Sequence, residues 1–156
     1  MTGEQEVATA IGRRLEALLI ALDEDEAALG SMPADLAAFR SMPASKRVAS
    51  RALLKTVEQL QDQLARLFRL LPRLTLADTV GWYAQDHANY AEKLGILADG
   101  LGWSDIVRLR NRLVHDYPLE PAAQFDALVD ASAVAPVLRM TALAGCAFIA
   151  REVPTP

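Results

Sequence analysis

Apolar side chains recur along this chain at steps of three and four, the spacing of one face of an α-helix. Val7, Ile11, Leu15, Leu18, Leu19 and Leu22 mark such a face between about Glu4 and Leu29, and Gly30 is placed to end that helix. Ser31-Met-Pro-Ala34 and Ser41-Met-Pro-Ala44 repeat a turn or N-cap signal at a spacing of ten, leaving Asp35 to Arg40 room for one or two helical turns. A long helix is expected from about Ser45 to Leu71. Its buried side is marked by Val48, Ala52, Val57, Leu60, Leu64, Leu67, Phe68 and Leu71, and Pro72 should stop it.

The pattern continues to the end of the chain. A third long helix is expected over about Leu76 to Leu94, with Asp78 in its first turn. Gly95 and Gly100 bracket a connection in which Ile96-Leu97-Ala98 has room for a short helical turn. The next helix starts near Ser104 and ends by Pro118, because a proline disfavours helical backbone at Tyr117. The last runs from Glu120-Pro121 to about Arg151, with a kink or break expected at Pro136. No stretch alternates apolar and polar residues as a half-buried strand would. The expectation is an all-α antiparallel bundle of four to five principal helices in a single domain over residues 1–156.

Composition agrees with this reading. Of the 156 residues 52% are apolar, Ala and Leu foremost, which favours helix and supplies one sizeable core. The formal charge of −4 argues against a general coat for nucleic acid, so any such contact must come from a local cluster. The acidic run Asp23 to Glu26 reads as a solvated helix end. Cys146 is the single cysteine and sits among apolar neighbours, as an inert buried thiol would. His87, His115 and Cys146 match no zinc spacing, and no metal or other cofactor is expected. Met1 to Val7 lacks the basic-then-apolar layout of a signal peptide, and no run of about 18 apolar residues is evident. The expectation is a cytoplasmic protein with no membrane span.

The densest basic segment is Trp103 to Tyr117, where Arg108, Arg110 and Arg112 precede His115. These side chains suit RNA cleavage. Internal attack needs a base for the 2′-hydroxyl proton and an acid for the departing 5′-oxygen, and histidine titrates in the range for either task. Charge gathers on the phosphoryl oxygens in the transition state, and a guanidinium fork can stabilise it without metal. Arg110 and His115, however, are five residues apart. They lie about 140° apart around a regular helix. Arg108 and Arg112 fall closer to the histidine's face. Either the helix distorts near Pro118, or two copies of it meet across a two-fold cleft, and the second arrangement also supplies the acid–base pair that one histidine lacks.

Arg110-x4-His115-x-Tyr117, with Asn111 after the arginine and Leu113-Val114 before the histidine, resembles the signature of HEPN-domain ribonucleases, in particular the HepT-like toxins of bacterial toxin–antitoxin pairs. The likeness in helical order covers roughly residues 45–150. It implies a HEPN-like homodimeric, metal-independent endoribonuclease with its active site at the dimer cleft. Arg110 and His115 would be its catalytic pair, supported by Asn111, Arg112 and Arg108. It also implies a partner, a nucleotidyltransferase antitoxin of the MNT type, that modifies Tyr117 with AMP and so adds negative charge beside the site. The N-terminal region with its two SMPA segments and the proline at 136 depart from the family's usual layout. A rival reading is a non-catalytic HEPN-like module that binds a nucleotidyltransferase or a nucleotide.

Three further positions carry two readings. His87, one turn beyond Trp82 and Tyr83, could stack on RNA or serve as a second acid–base group, or could lie on a polar helix face with its aromatic neighbours packed on the core. Trp103 reads as packing at the start of the motif helix. Arg139 and Arg151 could widen a positive cleft, although nothing in their spacing demands it.

Overall fold

The computed structural model describes residues 2–98 and 102–153. Six helices account for most of them: α1 (Gly3–Leu29), α2 (Leu36–Arg40), α3 (Ala44–Leu74), α4 (Ala84–Lys93), α5 (Trp103–His115) and α6 (Pro121–Glu152). No strand occurs among the described residues. Five of the helices have ten or more residues, and α3 lies at the centre, packed against α1, α4, α5 and α6.

Local chemistry explains most of the boundaries. Thr2 and Gln5 cap α1 reciprocally: the Gln5 side chain accepts from the Thr2 N–H at 2.8 Å, and the Thr2 hydroxyl accepts from the Gln5 N–H at 3.3 Å. Gly30, at φ 71°, ends α1 in backbone that a side chain would disfavour. Lys46 then donates to the Ala28 carbonyl at 3.0 Å. Asp35 caps α2 by accepting from the Ala38 N–H at 2.8 Å. Pro43 is the extended residue from which α3 starts. The two SMPA segments are therefore used at helix boundaries.

Several expected boundaries move. Pro72 does not stop α3, which continues to Leu74. So close to the helix end the proline ring forfeits only one intrahelical bond, and it is buried in the core. The next helix starts at Ala84, eight residues later than expected. Leu76 has a φ of 55°, outside helical backbone, and Asp78 accepts from the Val80 N–H at 3.0 Å in a turn. The helix start is set instead by Asp86, whose carboxylate accepts from the Tyr83 N–H at 2.7 Å. Ile96 and Leu97 are buried but form no helical turn, their N–H groups both bonding the Ala91 carbonyl. Gly100 lies outside the described residues. The motif helix ends at His115, two residues before the expected limit.

Pro136 produces no break: α6 is one helix of 32 residues. Its length and composition suffice to cross a membrane, with a mean hydropathy of 1.7 over its most apolar 18 residues. This corrects the expectation that no such segment exists. Arg139 and Thr141 interrupt a strict apolar run, yet the Ala, Val, Leu, Phe and Ile around them keep the average high. In the fold α6 packs against α1, α2, α3 and α5, but only 39% of that apolar window is buried. The remainder presents Val137, Met140 and Leu143 outward.

The core is one cluster. Leu15 and Leu22 of α1, Leu60, Leu64, Leu67 and Leu71 of α3, and Leu128, Leu138 and Ala142 of α6 have no exposed surface. Burial of such side chains contributes roughly 1.5–3 kcal/mol each. Val7 and Val48, expected inside, are exposed, because the neighbouring Ala8 and Ala49 take the buried position on those turns. Gly145 allows α6 to approach α3 closely: a Cβ there would fall 2.8 Å from Cδ2 of Leu67.

The acidic run at the end of α1 is more than a solvated end. Asp23 and Glu26 both pair with Arg139 of α6, and Asp25 accepts from the Thr56 hydroxyl of α3 at 2.6 Å. Three acids of one turn thus hold α1 to its two largest neighbours, and Arg139 is a tie between helices.

Candidate active site

The motif helix α5 buries Trp103, Ile106, Leu109 and Leu113, at steps of three and four, against α3 and α6. The Trp103 ring packs on Phe68 of α3 with centroids 4.7 Å apart, the packing role expected from its position. With the apolar face fixed, the polar side chains of α5 fall on its flanks and its outer surface.

All three motif arginines find acids. Arg110 reaches across to α3, where its Nε donates to Oδ1 of Asp62 at 2.8 Å. The same guanidinium donates to the Asn111 side-chain carbonyl at 3.2 Å. Arg112 reaches the other way, to Asp130 of α6, at 2.7 Å, and its Nε is buried without a partner. Arg108 pairs with Asp105 one turn back at 3.3 Å, with both side chains largely exposed. The segment that reads as a positive patch is therefore locally neutralised, and two of its arginines clamp α5 between α3 and α6. Asp62 and Asp130 carried no signal in the sequence, since they lie 48 and 18 residues from their partners.

His115 is the last residue of α5 and is exposed. Among the described residues it forms no hydrogen bond, ion pair or ring contact. The helix is regular through this position, so the arithmetic of about 140° holds. Arg110 faces α3, His115 faces solvent, and no contact joins them within the chain.

Beyond the helix end the backbone turns sharply through Asp116 and reaches Pro118, which is buried. Tyr117 is 38% exposed and lines a depression of about 430 Å³ together with Arg112, Asp116, Glu120 and Asp126. A second depression, of about 490 Å³, lies between α5 and α6 and is lined by Arg108, Arg112 and Asp130 among others. The lining of neither includes Arg110 or His115. Among the described residues no three His, Cys, Asp or Glu side chains converge as a metal site would require.

His87 packs among aromatic rings, with its Nδ1 buried and without a hydrogen bond. Its ring meets Trp82 edge-on at 5.3 Å, and Trp82 packs on Tyr90, whose hydroxyl is 2.7 Å from that of Thr75. Cys146 is half-buried, its thiol facing the Gly12 carbonyl at 3.8 Å. Burial, with a smaller contribution from the Glu16 carboxylate, pushes that thiol above its ordinary range and keeps it protonated.

No protein-family model, curated protein or solved structure matches this chain.

Proposed function

We propose that this chain is a HEPN-type, metal-independent endoribonuclease of the HepT-like toxin class, acting on cytoplasmic RNA as a homodimer. The observation that carries the reading is His115: an accessible imidazole with no partner among the described residues, at the end of the helix that bears the arginine and histidine of the R-x4-H-x-Y string. In the proposed reaction one imidazole takes the proton of a ribose 2′-hydroxyl, whose oxygen attacks the adjacent phosphorus. The bond from phosphorus to the 5′-oxygen breaks, and an imidazolium returns a proton to that oxygen. The products are a 2′,3′-cyclic phosphate and a 5′-hydroxyl. Two copies of His115 across a two-fold cleft would supply base and acid together.

Arg110 would stabilise the phosphoryl charge, with Asn111, Arg112 and Arg108 supporting it. In the free chain it is held by Asp62, so catalysis requires that substrate or the second copy draw it from the carboxylate. Tyr117, partly exposed two residues beyond His115, would be the site at which a nucleotidyltransferase antitoxin of the MNT type installs AMP. Its phenolic oxygen would attack the α-phosphorus of ATP and displace pyrophosphate. The bound phosphate would then repel RNA.

The neutralised arginines favour a second reading, a non-catalytic HEPN-like module that binds a nucleotidyltransferase partner. One experiment separates the two. Purified wild type and His115→Ala are incubated with RNA, with and without EDTA. Cleavage by wild type in EDTA, absent in His115→Ala, supports the ribonuclease. Full activity in His115→Ala, or loss in EDTA with rescue by magnesium, removes the mechanism.

A further inference from the structure

Away from the motif, α1 and α3 enclose a groove of about 450 Å³ whose rim is formed by Arg14 of α1 and by Arg66, Arg69 and Arg73 of α3. These guanidinium groups differ from five others of the fold. Arg108, Arg110, Arg112, Arg139 and Arg151 each bond a carboxylate. Among the described residues, Arg14, Arg66 and Arg73 bond nothing, and Arg69 bonds only the Ala65 carbonyl of its own helix at 3.2 Å. A chain of net charge −4 has thus gathered four cations without a counter-charge along one concavity. Cations gathered along one concavity focus a positive field that attracts an anion.

The groove also holds an orphaned acceptor. Gln63 lines it, and its side-chain oxygen is buried without a hydrogen bond. An acceptor among arginines that is not satisfied by them suits a ligand that brings its own hydroxyl as well as phosphates, as a ribose backbone does.

The groove is directed toward the motif. Asp62, Arg66, Arg69 and Arg73 follow steps of four, three and four along one face of α3, and Asp62 is the residue that holds Arg110. Arg66 therefore lies one helical turn from the anchor of the motif arginine. Arg66 to Arg73 spans about 10 Å, enough for a short run of consecutive phosphates.

We propose that the groove between α1 and α3 binds the backbone of single-stranded RNA, with the four arginines on its phosphates and Gln63 on a ribose 2′-hydroxyl. The proposal rests on the ribonuclease reading only for the choice of RNA as polymer. It adds where the strand is held.

The test is binding of a fluorescein-labelled oligoribonucleotide of mixed sequence to full-length protein by anisotropy, at several salt concentrations. Arg66→Glu/Arg73→Glu is compared with Arg13→Glu/Arg51→Glu, which makes the same charge change on exposed arginines outside the groove. All four side chains are on the surface, and circular dichroism confirms that each variant folds. The groove variant should lose more than about tenfold in affinity, and its log–log salt slope should fall by about 1.4, at roughly 0.7 per phosphate contact on a single strand. The outside pair should lose less than about threefold. Equal losses in the two variants overturn the proposal. DNA of the same sequence bound as tightly as RNA overturns the assignment of Gln63. The cleavage reading fails separately: a wild-type protein that binds RNA through the groove but does not cleave it removes only the catalytic claim.

Discussion

The Nε of Arg110 donates to Oδ1 of Asp62 across 2.8 Å, tying the motif helix to α3 by a side chain that the catalytic reading needs elsewhere. The pair is partly exposed, at 27% and 36%, so its contribution to stability should be small. Asp62→Ala should cost less than about 1 kcal/mol in urea denaturation. A merely structural pair would change little else. If catalysis needs Arg110 drawn from Asp62, Asp62→Ala should raise RNA cleavage through kcat, and Asp62→Glu should return it toward the wild-type rate.

Gly145 lies where α6 packs close against α3. Gly145→Ala puts a methyl group against Leu67, a side chain with no exposed surface. Overpacking of this kind costs about 1–3 kcal/mol, against up to about 1 kcal/mol gained from the helix preference of alanine. The variant should be net destabilised in urea. A neutral result would mean that Leu67 has room to turn aside.

Pro136 sits within a continuous helix, with its side chain exposed. The missing N–H leaves the Ser132 carbonyl without its helical donor. Pro136→Ala loses no core packing and should stabilise the fold by about 1–3 kcal/mol, a rise in Tm of about 2–4 °C per kcal/mol for a domain of this size. A lower Tm would show that the proline is needed for the course of α6.

Cys146 should be slow to react. Burial and Glu16 raise its pKa, so little thiolate is present near neutrality. Iodoacetamide labelling followed by mass spectrometry should be slow in the native protein and faster in urea. The sign of the linked pH effect follows. As pH rises past the ordinary thiol range, the unfolded chain releases the proton before the folded one, so stability should decline toward the raised value. Cys146→Ala should weaken that alkaline decline. Rapid native labelling would contradict the burial.

Much of the molecule was legible from residue spacing. The faces Ile11-Leu15-Leu22 and Leu60-Leu64-Leu67-Leu71 are local periodicities, and each became a buried helix face. The RxxxxHxY string and the about 140° separation of Arg110 from His115 could likewise be read along the chain. The start of α4 could not. Asp78 resembles a first-turn acid, but left-handed backbone at Leu76 gives the cap to Asp86.

By itself, then, the sequence determined that the chain is helical, where most of its apolar faces lie, and which short segment bears candidate chemistry. Those properties depend on neighbours within a turn or two. Only the tertiary structure decided the partners of the charges. It neutralised Arg110 with Asp62 and Arg112 with Asp130, drew Asp23 and Glu26 onto Arg139, and carried α6 unbroken past Pro136. It also left Arg14 beside Arg66, 52 residues further along the chain, with no acid between them. Helix packing brings such positions together, and charge pairing across a packed interface has no signature in local spacing.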